Sequence, residues 1–83
     1  MEYQVEVEVS LKPGYSDPEG ETTRKALIEL KYPVNAVNVS KVYNIRLEAA
    51  SPEDAGRKVD EICRRLLANP VKDNYKFKLE ELK

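Results

Sequence analysis

From Tyr3 to Leu11 the apolar residues Tyr3, Val5, Val7, Val9 and Leu11 alternate with Gln4, Glu6, Glu8 and Ser10. That is the period of a strand with one buried face. Pro13-Gly14 breaks the run, and Asp17-Pro18-Glu19-Gly20 predicts a turn into a helix, with Asp17 placed to cap and Pro18 suited to the first helical position. Thr23, Ala26, Leu27 and Leu30 follow at helical spacing; Pro33 then ends the helix and biases Tyr32 toward an extended backbone. Two further strands are predicted around a join near Ser40-Lys41. The first carries Val34, Val37, Val39 and Val42; in the second Tyr43, Ile45 and Leu47 alternate with Asn44, Arg46 and Glu48.

Ser51-Pro52-Glu53-Asp54 is the strongest helix start in the chain. Ser51 can accept from free backbone N–H groups, Pro52 suits the first turn, and the two acids complement the helix dipole. A helix from Pro52 to about Ala68 follows, with Ala55, Val59, Ile62, Cys63 and Leu66 on one apolar face and Asn69-Pro70 as its stop. The final segment, 71–81, alternates Tyr75, Phe77 and Leu79 against Lys76, Lys78 and Glu80. The predicted order is strand, helix, strand, strand, helix, strand. This is an α+β fold of split β-α-β-β-α-β type, an antiparallel sheet with two helices on one face. Many unrelated functions share that architecture.

Length and composition narrow the picture. A chain of 83 residues has room for one core and one domain, 1–83, and its single cysteine offers no disulfide framework to reinforce that core. Self-association is the expected remedy. Fourteen basic residues are interleaved with 15 acidic ones, which argues against nucleic acid as a partner. No apolar run approaches the roughly 20 residues of a membrane span, and Met1-Glu2-Tyr3 does not open like a signal peptide, so no membrane association and a cytoplasmic location are expected.

The chemical inventory is thin. Without histidine the chain lacks the commonest general base and metal ligand, and Ser-His and Cys-His nucleophile pairs are eliminated. Cys63 falls on the apolar face of the second helix, where a thiol is poorly nucleophilic. Gly14, Gly20 and Gly56 are too far apart to form a phosphate-cradling loop. Asp17 with Glu19, and Glu53 with Asp54, read as caps and first-turn acids rather than acid–base pairs. Arg57, Lys58, Arg64 and Arg65 are interleaved with Asp60 and Glu61 and read as a solvated helix flank. Tyr3, Tyr43 and Tyr75 fall in register with core positions rather than with a base-stacking surface. No catalytic constellation emerges, no cofactor is expected in this chain, and a binding or assembly role is what remains.

Several phrases, in order and at matching spacing, resemble the PurS family of phosphoribosylformylglycinamidine (FGAM) synthase. They are Val9-Ser10-Leu11-Lys12, Asp17-Pro18-Glu19-Gly20-Glu21-Thr22, Ala26-Leu27, the run from Cys63 to Val71, and Asp73 with Tyr75. The resemblance spans essentially the whole chain. It departs from the family at Asn38-Val39-Ser40-Lys41, where an arginine and a glycine usually precede the lysine. The resemblance implies a non-catalytic, oligomeric subunit that joins a large ATP-dependent synthetase subunit to a glutaminase subunit. That complex converts formylglycinamide ribonucleotide, glutamine and ATP to formylglycinamidine ribonucleotide, glutamate, ADP and phosphate in purine biosynthesis. ATP and Mg would then belong to the synthetase subunit, and ammonia would pass between the other subunits. Contact residues expected on the same basis are Asp17, Pro18, Glu19, Gly20, Arg24, Lys41 and Asn69.

Two other classes fit the same architecture. One is a small-ligand-sensing regulatory dimer, which amino acids or purine nucleotides would stabilise without any protein partner. The other is a stand-alone enzyme using carboxylates and Lys41, which activity of the isolated chain would reveal.

Overall fold

The computed structural model describes residues 1–83. Five elements follow one another: β1 (Glu2–Leu11), α1 (Pro18–Glu29), β2 (Lys41–Glu48), α2 (Pro52–Ile62) and β3 (Asp73–Leu82). The sheet order is β2-β1-β3 with both pairings antiparallel, so β1 is central. β2 and β3 therefore run parallel to each other with β1 between them, and α2 makes the crossover that a split β-α-β unit requires. In register, Val5 lies opposite Ile45 on one side and Leu79 on the other, while Val7 lies opposite Tyr43 and Phe77.

The period-two reading of β1 is reproduced: Tyr3, Val5, Val7 and Val9 are all buried. With Ala49, with Ala55 and Val59 of α2, and with Cys63 and Ala68 after it, they form a core of nine residues, against which Tyr43, Ile45, Leu47, Leu67, Tyr75, Phe77 and Leu79 pack. The other sheet face is polar. Across it Lys78 reaches Glu6 at 3.2 Å and Lys76 reaches Glu8 at 3.7 Å, exposed cross-strand pairs of small individual weight.

The α+β class, the antiparallel sheet and the presence of two helices stand as expected, but the sheet has three strands, not four, and the helices do not both cover one face of it, because α1 buries only Gly20. Residues 34–39, expected as a strand on the strength of Val34, Val37 and Val39, are irregular. β-branched side chains favour a pleated surface without dictating one. Here the Val39 N–H is engaged by the Asp17 side chain at the start of α1, and this segment adds no strand beside β2.

The second helix also departs from expectation near its end. It continues as one π-helical turn over Cys63–Leu67, closed by Ala68 N–H donating to the Cys63 carbonyl. The wider turn changes the phase of the residues that follow. Leu67 packs against the core instead of Leu66, which is 79% exposed.

Of the two helices only α2 lies against the core. In α1 the single buried residue is Gly20, and Ile28, Leu30 and Tyr32 are exposed. The Cα radius of gyration is 16.4 Å, with extents of 51 × 29 × 14 Å. A closely packed chain of this length would have a radius of about 12 Å. The difference reflects a helix projecting from the body.

Candidate functional site

The end of the sheet where β1 stops and β2 and β3 begin gathers most of the residues singled out from the sequence. Three connections meet there: 12–17 into α1, 30–40 out of it, and 68–72 between α2 and β3.

Asp17 organises the first two. It precedes Pro18 at the first helical position, and its Oδ1 accepts from the Gly20 N–H at 2.9 Å, an ordinary N-cap. Its second oxygen accepts from the Val39 N–H at 2.8 Å, 22 residues away. These two backbone donors, Val39 first, hold the carboxyl below the usual aspartate range. Gly20 is required by the same closeness, because a Cβ there would overlap the Val37 carbonyl oxygen and come within 2.8 Å of Asp17 Oδ2.

At its far end α1 closes through a Schellman motif. Lys31 N–H donates to the Ile28 carbonyl and Tyr32 N–H to that of Leu27, with Lys31 at φ 74°. Pro33 follows immediately, as the sequence led one to expect.

The third connection is secured by Asn69. Its Oδ1 accepts from Val71 N–H at 2.8 Å, and its own N–H donates to Asp73 Oδ2 at 2.9 Å. Lys12 Nζ and Tyr15 Oη reach across to the carbonyls of Pro70 and Val71. Between the connections lies a cleft of about 260 Å³ lined in part by Ser10, Asp17, Glu19, Lys41 and Lys72. Pro18, Glu19, Lys41 and Asn69 are exposed at this end, whereas Asp17 and Gly20 are turned into the chain. Arg24 stands apart, one turn further along α1, where it makes two hydrogen bonds to Glu21 at 2.6 and 3.0 Å.

The remaining candidates are accounted for within the fold. Arg57 and Lys58 both pair with Asp54, Arg64 with Asp60 and Arg65 with Glu61, so the flank of α2 neutralises itself through i,i+3 and i,i+4 contacts. Asp54 accepts from the Ala50 N–H and from Lys58 and Arg57, which together lower its pKa to about 2. Cys63 is fully buried, and burial pushes its thiol upward. Tyr75 donates its hydroxyl to Asp60, which raises the phenol and lowers the acid. No cluster of three or more acidic or cysteine side chains converges on a point where a cation could be held.

Two features were not legible in the sequence. One is the Val39 partner of Asp17; the cap was legible from Asp17-Pro18, but a tie over 22 residues leaves no local signature. The other is a groove of about 560 Å³ between β2 and α2, lined by the apolar Leu47, Ile62 and Leu66 and by the charged Glu48, Lys58, Glu61 and Arg65. Its one faint signal was Leu66, an apolar residue that the π turn brings out of the core.

The fold and this end of it define a small three-stranded α+β domain that presents a helix away from its own core. The family model described as PurS, phosphoribosylformylglycinamidine (FGAM) synthase, matches residues 4–81. The chain is 48% identical over 71 residues to the phosphoribosylformylglycinamidine synthase subunit PurS of Archaeoglobus fulgidus, covering 84% of this chain and 89% of that one. Thermus thermophilus PurS superimposes with a TM-score of 0.89 at 36% identity over the full length of both chains. A chain in the structure of PurLQS from Thermotoga maritima matches with a TM-score of 0.88 at 30% identity, over 96% of this chain and 99% of that one. The chain belongs to the PurS family of FGAM synthase subunits.

Proposed function

We propose that this chain is the non-catalytic assembly subunit of FGAM synthase in de novo purine biosynthesis, docking a glutaminase subunit against a large synthetase subunit so that ammonia passes between them without escaping to solvent. The gain is one of effective concentration rather than of chemistry. The observation that carries the reading is the near end-to-end match to one separate chain of a PurLQS structure. The short chemical inventory supports it: no histidine, a buried cysteine, and a basic flank on the second helix that pairs with its own acids. In this reading ATP and Mg are used by the synthetase subunit and the complex works in the cytoplasm; no helix here is long and apolar enough to cross a membrane.

The surface proposed to meet the partner subunits is the exposed set Pro18, Glu19, Lys41 and Asn69, with Arg24 on the adjoining turn of α1. Asp17 and Gly20 support that surface from within. A homodimer or higher oligomer is proposed as the working state. Ile28, Leu30 at 67% exposure and Tyr32 leave apolar side chains at the far end of α1 and just beyond it that the chain's own core does not cover. The apolar groove on Leu47, Ile62 and Leu66 offers a second copy's helix a place to lie.

Reconstitution with purified synthetase and glutaminase tests the function. Glutamine-dependent turnover should require this chain, while ammonia-dependent turnover by the synthetase should be far less affected. Full glutamine-dependent turnover in its absence would sink the proposal. Sedimentation at micromolar concentration tests the oligomer, and a strictly monomeric species would exclude it.

A further inference from the structure

We infer that Asp17 is a positioning residue: by tying the first turn of α1 to the returning segment at Val39, its carboxylate fixes the direction in which α1 leaves the body and so presents that helix to the partner subunits. The inference rests on the docking role proposed above and adds the device that makes it efficient.

α1 buries only Gly20, so packing along its length does not set its orientation. Its tip is closed internally by the Lys31 and Tyr32 N–H bonds, which shape the helix end without attaching it to the sheet. What joins the helix to the body, beyond the two covalent connections, is concentrated at its root. Asp17 Oδ1 holds Gly20 N–H at 2.9 Å, and Asp17 Oδ2 holds Val39 N–H at 2.8 Å. The missing Cβ of Gly20 lets the Val37 carbonyl close against the same turn. Capping alone needs one oxygen. The second is spent on the segment that leads directly into β2, so the incoming and outgoing connections are clamped to each other.

A helix free to swivel would have to be ordered at the moment of docking, and that cost would appear as weaker assembly. A clamp at the root removes most of it in advance. The charged acceptor matters, since hydrogen bonds to an ionised group are about twice as strong as neutral ones.

Asp17→Asn separates the two functions of the side chain. Asparagine is as good an N-cap as aspartate but has one acceptor oxygen, so it keeps the cap and turns an N–H toward another N–H at Val39. Asp17→Ser likewise caps and cannot bridge. Ser51→Ala serves as control, because it weakens the cap of α2 without touching α1. Each variant is titrated into the complete synthetase–glutaminase mixture while hydrogen exchange is followed at Val39 and along α1.

The expected result for both Asp17 variants is exchange at Val39 faster by about tenfold or more. The concentration of chain giving half-maximal glutamine-dependent turnover should also rise about tenfold, with ammonia-dependent turnover unchanged and little effect from Ser51→Ala at equal folded fraction. Gly20→Ala should behave like the Asp17 variants. Faster Val39 exchange with unaltered assembly would overturn the inference, as would unaltered Val39 exchange. A wild-type chain that proved dispensable would instead refute the docking role itself, so the two failures are distinguishable.

Discussion

Val5 sits at the centre of the central strand, opposite Ile45 on β2 and Leu79 on β3, and is 0% exposed. Replacing it with alanine deletes two methyl groups from a core of nine buried residues. Transfer of those groups accounts for roughly 1.6 kcal/mol, and the cavity left between neighbours on both flanking strands brings the total to about 2–3 kcal/mol. For a chain of this size total stability is on the order of 4–12 kcal/mol, so the loss is a large fraction of it. The same substitution at Val42 is an internal control. Val42 lies on β2 opposite Glu8, on the polar face, and is 51% exposed, so its loss should cost about 0.5 kcal/mol. Urea denaturation followed by circular dichroism, at one fixed protein concentration because association would add to apparent stability, measures both. Val5→Ala should lower the midpoint by roughly 1–2 M and the melting temperature by about 10–20 °C. If the two variants shifted the midpoint equally, the assignment of the core to this face of β1 would be wrong.

Three further outcomes are expected. Lys31 holds φ 74° in the Schellman motif without being glycine, so Lys31→Gly should stabilise the chain by about 1 kcal/mol, read as a higher urea midpoint. Asp54 has its pKa lowered to about 2 by Ala50, Lys58 and Arg57, and Asp17 and Asp60 are lowered as well. Between the unfolded aspartate pKa of about 3.9 and the lowered folded values, the unfolded chain binds more protons. Stability should therefore fall as pH drops from about 4 toward 2, with a shallower fall in Asp54→Asn; equal slopes in titrated denaturation curves would contradict the assignment. Tyr3 is buried with its hydroxyl unpaired. Removing it as Tyr3→Phe should leave the melting temperature unchanged or raise it, and a clear drop would mean that the hydroxyl has a partner.

Where patterning was strong and local, the chain could be read directly. Alternation from Tyr3 to Leu11 and from Tyr75 to Leu79 predicted β1 and β3, because a strand with one wet face needs only a period of two. Ser51-Pro52 and Asp17-Pro18 marked both helix starts, because capping is settled by a few neighbouring atoms. The absence of histidine and of a phosphate loop was equally plain, and it directed the functional reading toward assembly. Of the phrase from Asp17 to Gly20, Pro18 and Glu19 are exposed, while Asp17 and Gly20 turn inward to hold the chain.

Other features depend on which segments meet in space, and local pattern is silent on that. Val34, Val37 and Val39 carry the residue types of a strand, yet whether such a segment pairs depends on what else its N–H groups can reach; here the Val39 N–H donates to Asp17. The π turn at Cys63–Leu67 exchanged Leu66 for Leu67 in the core, a change of phase invisible to a 3.6-residue period. The projection of α1 is likewise tertiary. The sequence pattern placed both helices on one face of the sheet, yet α1 buries only Gly20 and leaves Ile28 and Leu30 facing outward. Sequence alone determined which segments are strands and helices at the strongest positions and that the chain is poor in catalytic groups, since both depend on residues close together along the chain. The tertiary structure decided the strand count, the order β2-β1-β3 and the direction of α1, since those depend on contacts such as Asp17 to Val39 between residues far apart in it.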